Sequence, residues 1–194
     1  MTAVDALGLR LLDVALLEGD FTLRSGKRSR WYLDKYRFET EPELLRELGT
    51  RLADVVSELE PAASRLACPV VGAVALAAAA SMASGRPFII VRDEAKGYGT
   101  SNRIEGTFSP GELVCLVEDV VTSGGALGET VEAVRSAGLV VRHAVCVVDR
   151  EEGGADALAR LGVRLASLYR AGELLATREE GVNRTIVERN PLER

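Results

Sequence analysis

Two adjacent carboxylates, Glu118 and Asp119, close the apolar run Leu113–Val117 and are followed by Val120-Val121-Thr122-Ser123-Gly124-Gly125-Ala126. An acid pair beside a hydroxyl- and glycine-rich turn suits a phosphorylated ribose. The acids can hold ribose hydroxyls, directly or through hydrated Mg2+, which prefers a few carboxylates, substrate oxygens and retained water. The phosphate takes the backbone N–H groups of the turn and the positive end of the helix behind it. Thr122 and Ser123 add hydroxyl donors. This chemistry needs a strand before the acids and a helix after the glycines. Leu113–Val117 has strand character, and 127–137 shows amphipathic helical periodicity. Ordinary βα turns are also rich in Gly and Ser; the acid pair sets this one apart.

Two more segments bring positive charge. Residues 92–106 carry Arg92 and Lys96 among Gly97, Gly99 and Gly106. That composition suits a lid that closes over an anion and excludes water, although an ordinary surface loop has it too. Arg150 follows the apolar run Leu139–Val148, where a guanidinium fork can grip a planar carboxylate. Arg24, Lys27, Arg28 and Arg30 surround a Ser25-Gly26 turn and suit either an anionic small molecule or a solvated hairpin edge. The single histidine, His143, excludes histidine-rich metal sites, and its place inside an apolar run gives it a structural role, not that of a triad base. Cys68, Cys115 and Cys146 lack CxxC spacing; Cys115 and Cys146 in particular read as small core residues.

The elements that must position these groups follow a βα rhythm. Apolar spacing predicts a helix over 4–18, strands at Phe21–Leu23 and Arg30–Leu33, and a helix from Pro42 to about Leu59. Pro69–Gly72 reads as a strand end, with a small-residue helix over Ala73–Ser84. Phe88–Val91, Leu113–Val117 and Leu139–Val148 are continuous apolar runs, as in strands buried on both faces of a parallel sheet. Helices near 125–137 and 154–161, a strand at Val163–Leu168 and a weakly helical tail over 182–189 complete the pattern. The expectation is an α/β fold: a Rossmann-like central parallel sheet flanked by helices, binding ligands at the carboxyl ends of its strands. A chain of 194 residues buries roughly 70% of its unfolded surface without disulfides or structural metal. It reads as a single domain over 1–194, with residues 1–35 as a small hood and 60–180 as the α/β core. The net charge of −5 gives no case for nucleic acid. The apolar run from Val70 to Ala83 is too short for a bilayer span of about 20 residues. Residues 1–20 carry acids and helical periodicity instead of a signal-peptide pattern, so a cytoplasmic location is expected.

The segment around Glu118 and Asp119 resembles the phosphoribosyl pyrophosphate (PRPP) motif of the type I phosphoribosyltransferases. Phe21-Thr22-Leu23-Arg24-Ser25-Gly26-Lys27-Arg28-Ser29 with Trp31-Tyr32-Leu33-Asp34 resembles the N-terminal signature of orotate phosphoribosyltransferases. Residues 87–99, continuing to Ile104-Glu105-Gly106, resemble their catalytic loop. The resemblance implies transfer of a phosphoribosyl group from PRPP to orotate in pyrimidine biosynthesis, with Mg2+ carried mainly by PRPP and water. It implies a homodimer whose lid reaches into the neighbouring site. Lys96, Arg92 and Asp119 are the residues assigned to catalysis. Arg24, Arg92, Lys96, Tyr98, Glu118, Asp119 and the turn Val120 to Ala126 would hold PRPP. Tyr32, Leu33, Thr122 and Arg150 would hold orotate, Arg150 through its carboxylate.

Three positions depart from the family pattern. Asp93 stands where many members have a second basic residue after the loop arginine. The loop Val71-Gly72-Ala73-Val74 replaces a frequent Gly-Gly-x-Pro, and Tyr98 replaces a frequent histidine. Asp93 weakens pyrophosphate binding unless it points away or pairs with Lys96 or Arg103. The alternatives are transfer to another nucleobase, or a non-catalytic PRPP-sensing regulator on the same fold.

Overall fold

The continuous apolar runs become neighbouring strands of one sheet in the computed structural model, which describes residues 4–22, 26, 28–93 and 103–178. In chain order the elements are α1 (Ala6–Ala15), β1 (Leu16–Thr22), β2 (Arg28–Leu33), α2 (Lys35–Glu39), α3 (Pro42–Leu59), β3 (Arg65–Pro69) and α4 (Ala73–Ser84). They continue with β4 (Phe88–Val91), β5 (Ile104–Glu105), β6 (Leu113–Val121), α5 (Gly125–Ser136), β7 (Val140–Asp149), α6 (Gly154–Arg160) and β8 (Arg164–Arg170). Residues 171–178 are helical.

The large sheet runs β5-β4-β3-β6-β7-β8. Five of its strands are mutually parallel, and β5 pairs antiparallel with β4 at the edge. Two apolar layers cover its faces. One joins α1, α3 and α4 to the sheet through Leu11, Leu48, Leu52, Leu76 and Val117. The other seats α5 and α6 through Leu127, Val131, Val134 and Leu158 against Ile89, Leu116 and Cys146. This is the α/β architecture that the βα rhythm requires.

Helix boundaries follow local chemistry closely. Glu41 caps α3 by accepting from Leu44 N at 2.7 Å, with Pro42 in the first turn, where its missing N–H costs nothing. α4 ends at Gly85 in the left-handed region. Two boundaries differ from the sequence expectation. The first helix stops at Ala15 instead of 18, because Leu16 to Glu18 pair across to Leu33, Tyr32 and Trp31 of β2. Tertiary pairing outweighs the helical spacing there. The strand expected at Pro69–Gly72 lies upstream at Arg65–Pro69, where the charge of Arg65 is neutralised by Glu112 at 2.9 Å. Neither the short helix α2 nor the helical residues 171–178 were expected, and the tail over 182–189 lies outside the described residues.

β1 and β2 form a separate antiparallel ribbon. His143 pairs through Nδ1 with Glu60 Oε2 at 2.8 Å, on the residue that caps the end of α3, in keeping with a structural role. All three cysteines are free and buried. Among the described residues no helix is long and apolar enough to cross a membrane.

Candidate active site

In the strand order, β3 is followed in sequence by β4 on one side, while β6 lies on its other side. The chain reverses its direction of build there, and a crevice opens outside the carboxyl ends of the strands. A cavity of about 710 Å3 occupies that crevice. Pro69, Val70 and Gly72 line it from the end of β3, Glu118 to Val121 from β6, Thr122 to Leu127 from the turn and α5, and Arg150 from the end of β7. Glu118, Asp119 and the whole Thr122–Ala126 turn therefore meet around one space, as their spacing predicts. Arg150, some thirty residues later in the chain, joins them because β7 lies parallel to β6, with Arg150 N donating to Val121 O at 2.9 Å.

The turn is built to receive an anion. Gly124 has φ of +80° at the N-cap of α5, and no side chain caps the helix. The first N–H groups of α5 are thus left for a ligand. A Cβ on Gly124 would lie 3.0 Å from Gly154 O, and one on Gly154 would lie 2.4 Å from Val121 Cγ1. Two glycines from different βα units let the turn sit directly on the start of α6.

The acid pair is nearly inaccessible, Glu118 at 8% exposure and Asp119 at 2%. Lys35, from α2, donates to Asp119 Oδ2 at 2.7 Å and also lines the cavity. Glu39, one helical turn on, is buried and close enough to Asp119 to feel its charge. Burial, then the Asp119 charge, push the Glu39 carboxyl up to about 8, against the opposing pull of Lys35. Burial and Asp119 likewise raise Glu118. Burial would lower Lys35, but its hydrogen bond and ion pair with Asp119, with Glu118 and Glu39 behind, hold it above its ordinary value.

Arg150 is held by its surroundings. Its guanidinium carbon sits 5.0 Å from the centroid of the Trp31 ring, and Nη2 reaches Glu152 Oε1 at 3.1 Å. Nε is buried and has no hydrogen-bond partner among the described residues. Asp93 is among the residues that line the cavity. Arg103 is engaged elsewhere: Nε donates to Arg92 O at 2.9 Å and Nη2 lies 4.0 Å from Glu129.

Other site residues fall differently. Tyr32 and Leu33 do not line the cavity. Strand alternation turns Leu33 into the core at 8% exposure, while Tyr32 lies on the opposite face, 40% exposed and 5.6 Å from Phe21. Arg92 directly follows β4 and precedes the cavity-lining Asp93, its Nε buried and without a partner among the described residues. Arg24, Lys96 and Tyr98 lie outside the described residues. Sequence reasoning missed Lys35, Glu39 and Trp31. Lys35 and Glu39 sit in an unremarked stretch between a strand and a helix, and only the i, i+4 spacing hints at a shared face.

A search of characterised proteins finds orotate phosphoribosyltransferase from Methanocella arvoryzae, 51% identical over 159 residues, 81% of this chain and 88% of that one. The one from Halobacterium salinarum is 45% identical over 90% of this chain and 98% of its own. This chain belongs to the orotate phosphoribosyltransferase family. Solved structures agree: the orotate phosphoribosyltransferase of Aeropyrum pernix superposes with a TM-score of 0.79 at 33% identity, covering 88% of this chain and 97% of that one. The one of Mycobacterium tuberculosis, in complex with PRPP, gives 0.73 at 27% identity over 87% of this chain and 96% of that one. No family model matches the chain. The family's sheet, with its helices on both faces, is the fold described above.

Proposed function

We infer that this chain is an enzyme that transfers the phosphoribosyl group of PRPP to orotate, giving orotidine 5-monophosphate and pyrophosphate in pyrimidine biosynthesis. The observation that carries the reading is one cavity uniting an acid pair, an uncapped helix N-terminus and a desolvated arginine with an unpartnered Nε. A ribose, a phosphate and a carboxylate need those three partners.

The reaction breaks the bond from the anomeric carbon to the pyrophosphate oxygen and forms one to a ring nitrogen of orotate. Charge develops as in an oxocarbenium ion, so the protein acts by placing reactants and neutralising the departing anion. Glu118 and Asp119 hold the ribose hydroxyls. The Thr122–Ala126 turn takes the 5-phosphate, and the side chain of Thr122 also faces the base. Arg150 grips the orotate carboxylate from its seat on Trp31. Arg24, Arg92, Lys96 and Tyr98 serve the pyrophosphate, with Lys96 and Arg92 countering the charge that leaves. Tyr32 and Leu33 act on the base only if the ribbon moves, since neither faces the cavity.

Mg2+ fits the site as an ion carried by PRPP oxygens and water. Among the described residues no group of three or more ligating side chains could enclose a metal, while Glu118 and Asp119 offer hard oxygen atoms that reach it through water. When bound, it neutralises pyrophosphate charge. We further propose a single domain over 1–194 with a hood over 1–35, a homodimer whose lid serves the neighbouring site, and a cytoplasmic location. Transfer to another nucleobase, or sensing without turnover, would leave Arg150 without the carboxylate its geometry suits.

The test is direct. Purified protein with orotate, PRPP and Mg2+ should consume orotate absorbance. PRPP binding without turnover would favour the sensor, and turnover with another base would reassign the substrate.

A further inference from the structure

The carboxylate of Asp119 is held by side chains from the N-terminal segment as well as by its own strand. Lys35 Nζ donates to Asp119 Oδ2 at 2.7 Å, and the lysine side chain keeps 33% exposure on the cavity side. A Cβ on Gly72 would fall 2.0 Å from Asp119 Oδ2 and 2.6 Å from Lys35 Nζ. The ion pair therefore lies against the backbone of the β3–α4 connection, in space that only a glycine leaves open. Glu39 approaches from the same helix face, since side chains four apart on a helix are neighbours. It is 4% exposed and lies within hydrogen-bonding reach of Asp119, while its Oε1 has no partner among the described residues. Two carboxyl groups share a hydrogen bond only when one of them carries the proton. Val120 N donates to Asp119 Oδ1 from the strand itself.

Those contacts pin both oxygens of Asp119 while leaving lone pairs of the carboxylate for further donors. Asp119 is almost fully buried while Lys35 keeps a third of its side chain exposed, so the desolvation of the carboxylate offsets part of the attraction. Geometric control of a ligand-facing carboxylate gives the ion pair a purpose beyond stability. We propose that Lys35 and Glu39 are positioning residues, which fix the Asp119 carboxylate for the ribose hydroxyls of PRPP and so tie the N-terminal segment to sugar binding. This assignment rests on the PRPP reading of the cavity and extends it to residues outside the motif.

The experiment compares steady-state kinetics of the full-length protein with those of Lys35→Met, Glu39→Gln and Glu39→Ala. Lys35→Met should raise the KM for PRPP by about 10- to 100-fold, the loss expected for a hydrogen bond to a charged group. The KM for orotate should stay near the wild-type value, and kcat at saturating PRPP should fall much less than the KM rises, because the lost contact is made before and during the reaction alike. Glu39→Gln retains a donor for Asp119 and should keep PRPP affinity, whereas Glu39→Ala should lose it. A merely structural role predicts the opposite split: lower melting temperature with an unchanged KM for PRPP. That result in Lys35→Met, or equal behaviour of the Gln and Ala variants, would overturn the assignment. Should the wild-type protein fail to use orotate, calorimetric PRPP binding replaces the KM. Weaker binding by Lys35→Met then sustains the proposal while the choice of base fails, and equal binding ends it.

Discussion

Arg150 is a guanidinium stacked on Trp31, braced by Glu152 and left with a buried, unpartnered Nε. A buried donor without a partner costs free energy that a ligand carboxylate recovers. Arg150→Ala should therefore raise the KM for orotate by about 10- to 100-fold and leave the KM for PRPP nearly unchanged. Arg150→Lys should not rescue it, since a lysine offers no planar fork. Glu39 gives a prediction in pH. Its carboxyl, raised to about 8 by burial and by Asp119, binds a proton in the folded protein that the unfolded chain releases near its ordinary value of 4.5. Between those values the folded state holds more protons, so stability falls as pH rises from about 5 to 8. Glu39→Gln should flatten that part of a plot of melting temperature against pH in the ligand-free protein. An unchanged slope would show that Glu39 is ionised throughout. The residues at 118, 119, 122–126 and 150, singled out by type in the sequence, line one cavity in the structure. Glu39 and Lys35 were not singled out, because their role depends on a carboxylate about eighty residues away.

At the scale of elements, the turn before α5 works because it is nested on the start of α6. Gly124 needs its φ of +80° and has the Gly154 carbonyl where a side chain would go. Gly124→Ala should cost about 1–2 kcal/mol of stability from the left-handed backbone alone, with more from the contact, measurable by urea denaturation. The same variant should weaken PRPP binding by tilting the N–H groups of the turn. Periodicity located α3, α4 and β4 almost to the residue, since caps, prolines and apolar runs are local signals. It failed at Leu16–Glu18, where apolar residues fit a helix until β2 offers them cross-strand partners. It also failed at Arg65–Pro69, where a charged residue masks a buried strand until Glu112 neutralises it.

At the scale of the molecule, the strand order places β3 and β6 side by side and opens the crevice at their ends. Asp93, which departs from the family pattern, sits in its wall. If the lid lysine acts in the neighbouring protomer, Lys96→Ala and Arg150→Ala proteins should each be strongly impaired alone at subsaturating orotate. Mixed and allowed to exchange subunits, they should regain activity, because each hybrid dimer then holds one site with both residues intact. Mixtures as inactive as their components would place Lys96 in its own subunit's site or remove it from the chemistry. Orotate binding to Lys96→Ala, followed by fluorescence or calorimetry, should stay near wild type.

By itself the sequence supplied the candidate groups, the βα alternation and hence a largely parallel sheet. Those properties follow from side-chain chemistry and from short-range periodicity. The tertiary structure alone decided that Arg150 shares a wall with Glu118 and Asp119, that Trp31 supports it, and that Tyr32 and Leu33 face elsewhere. It also brought Lys35 and Glu39 beside Asp119. Each of these depends on which strands become neighbours, and that is settled by burial summed over the whole core, which no local window of residues contains.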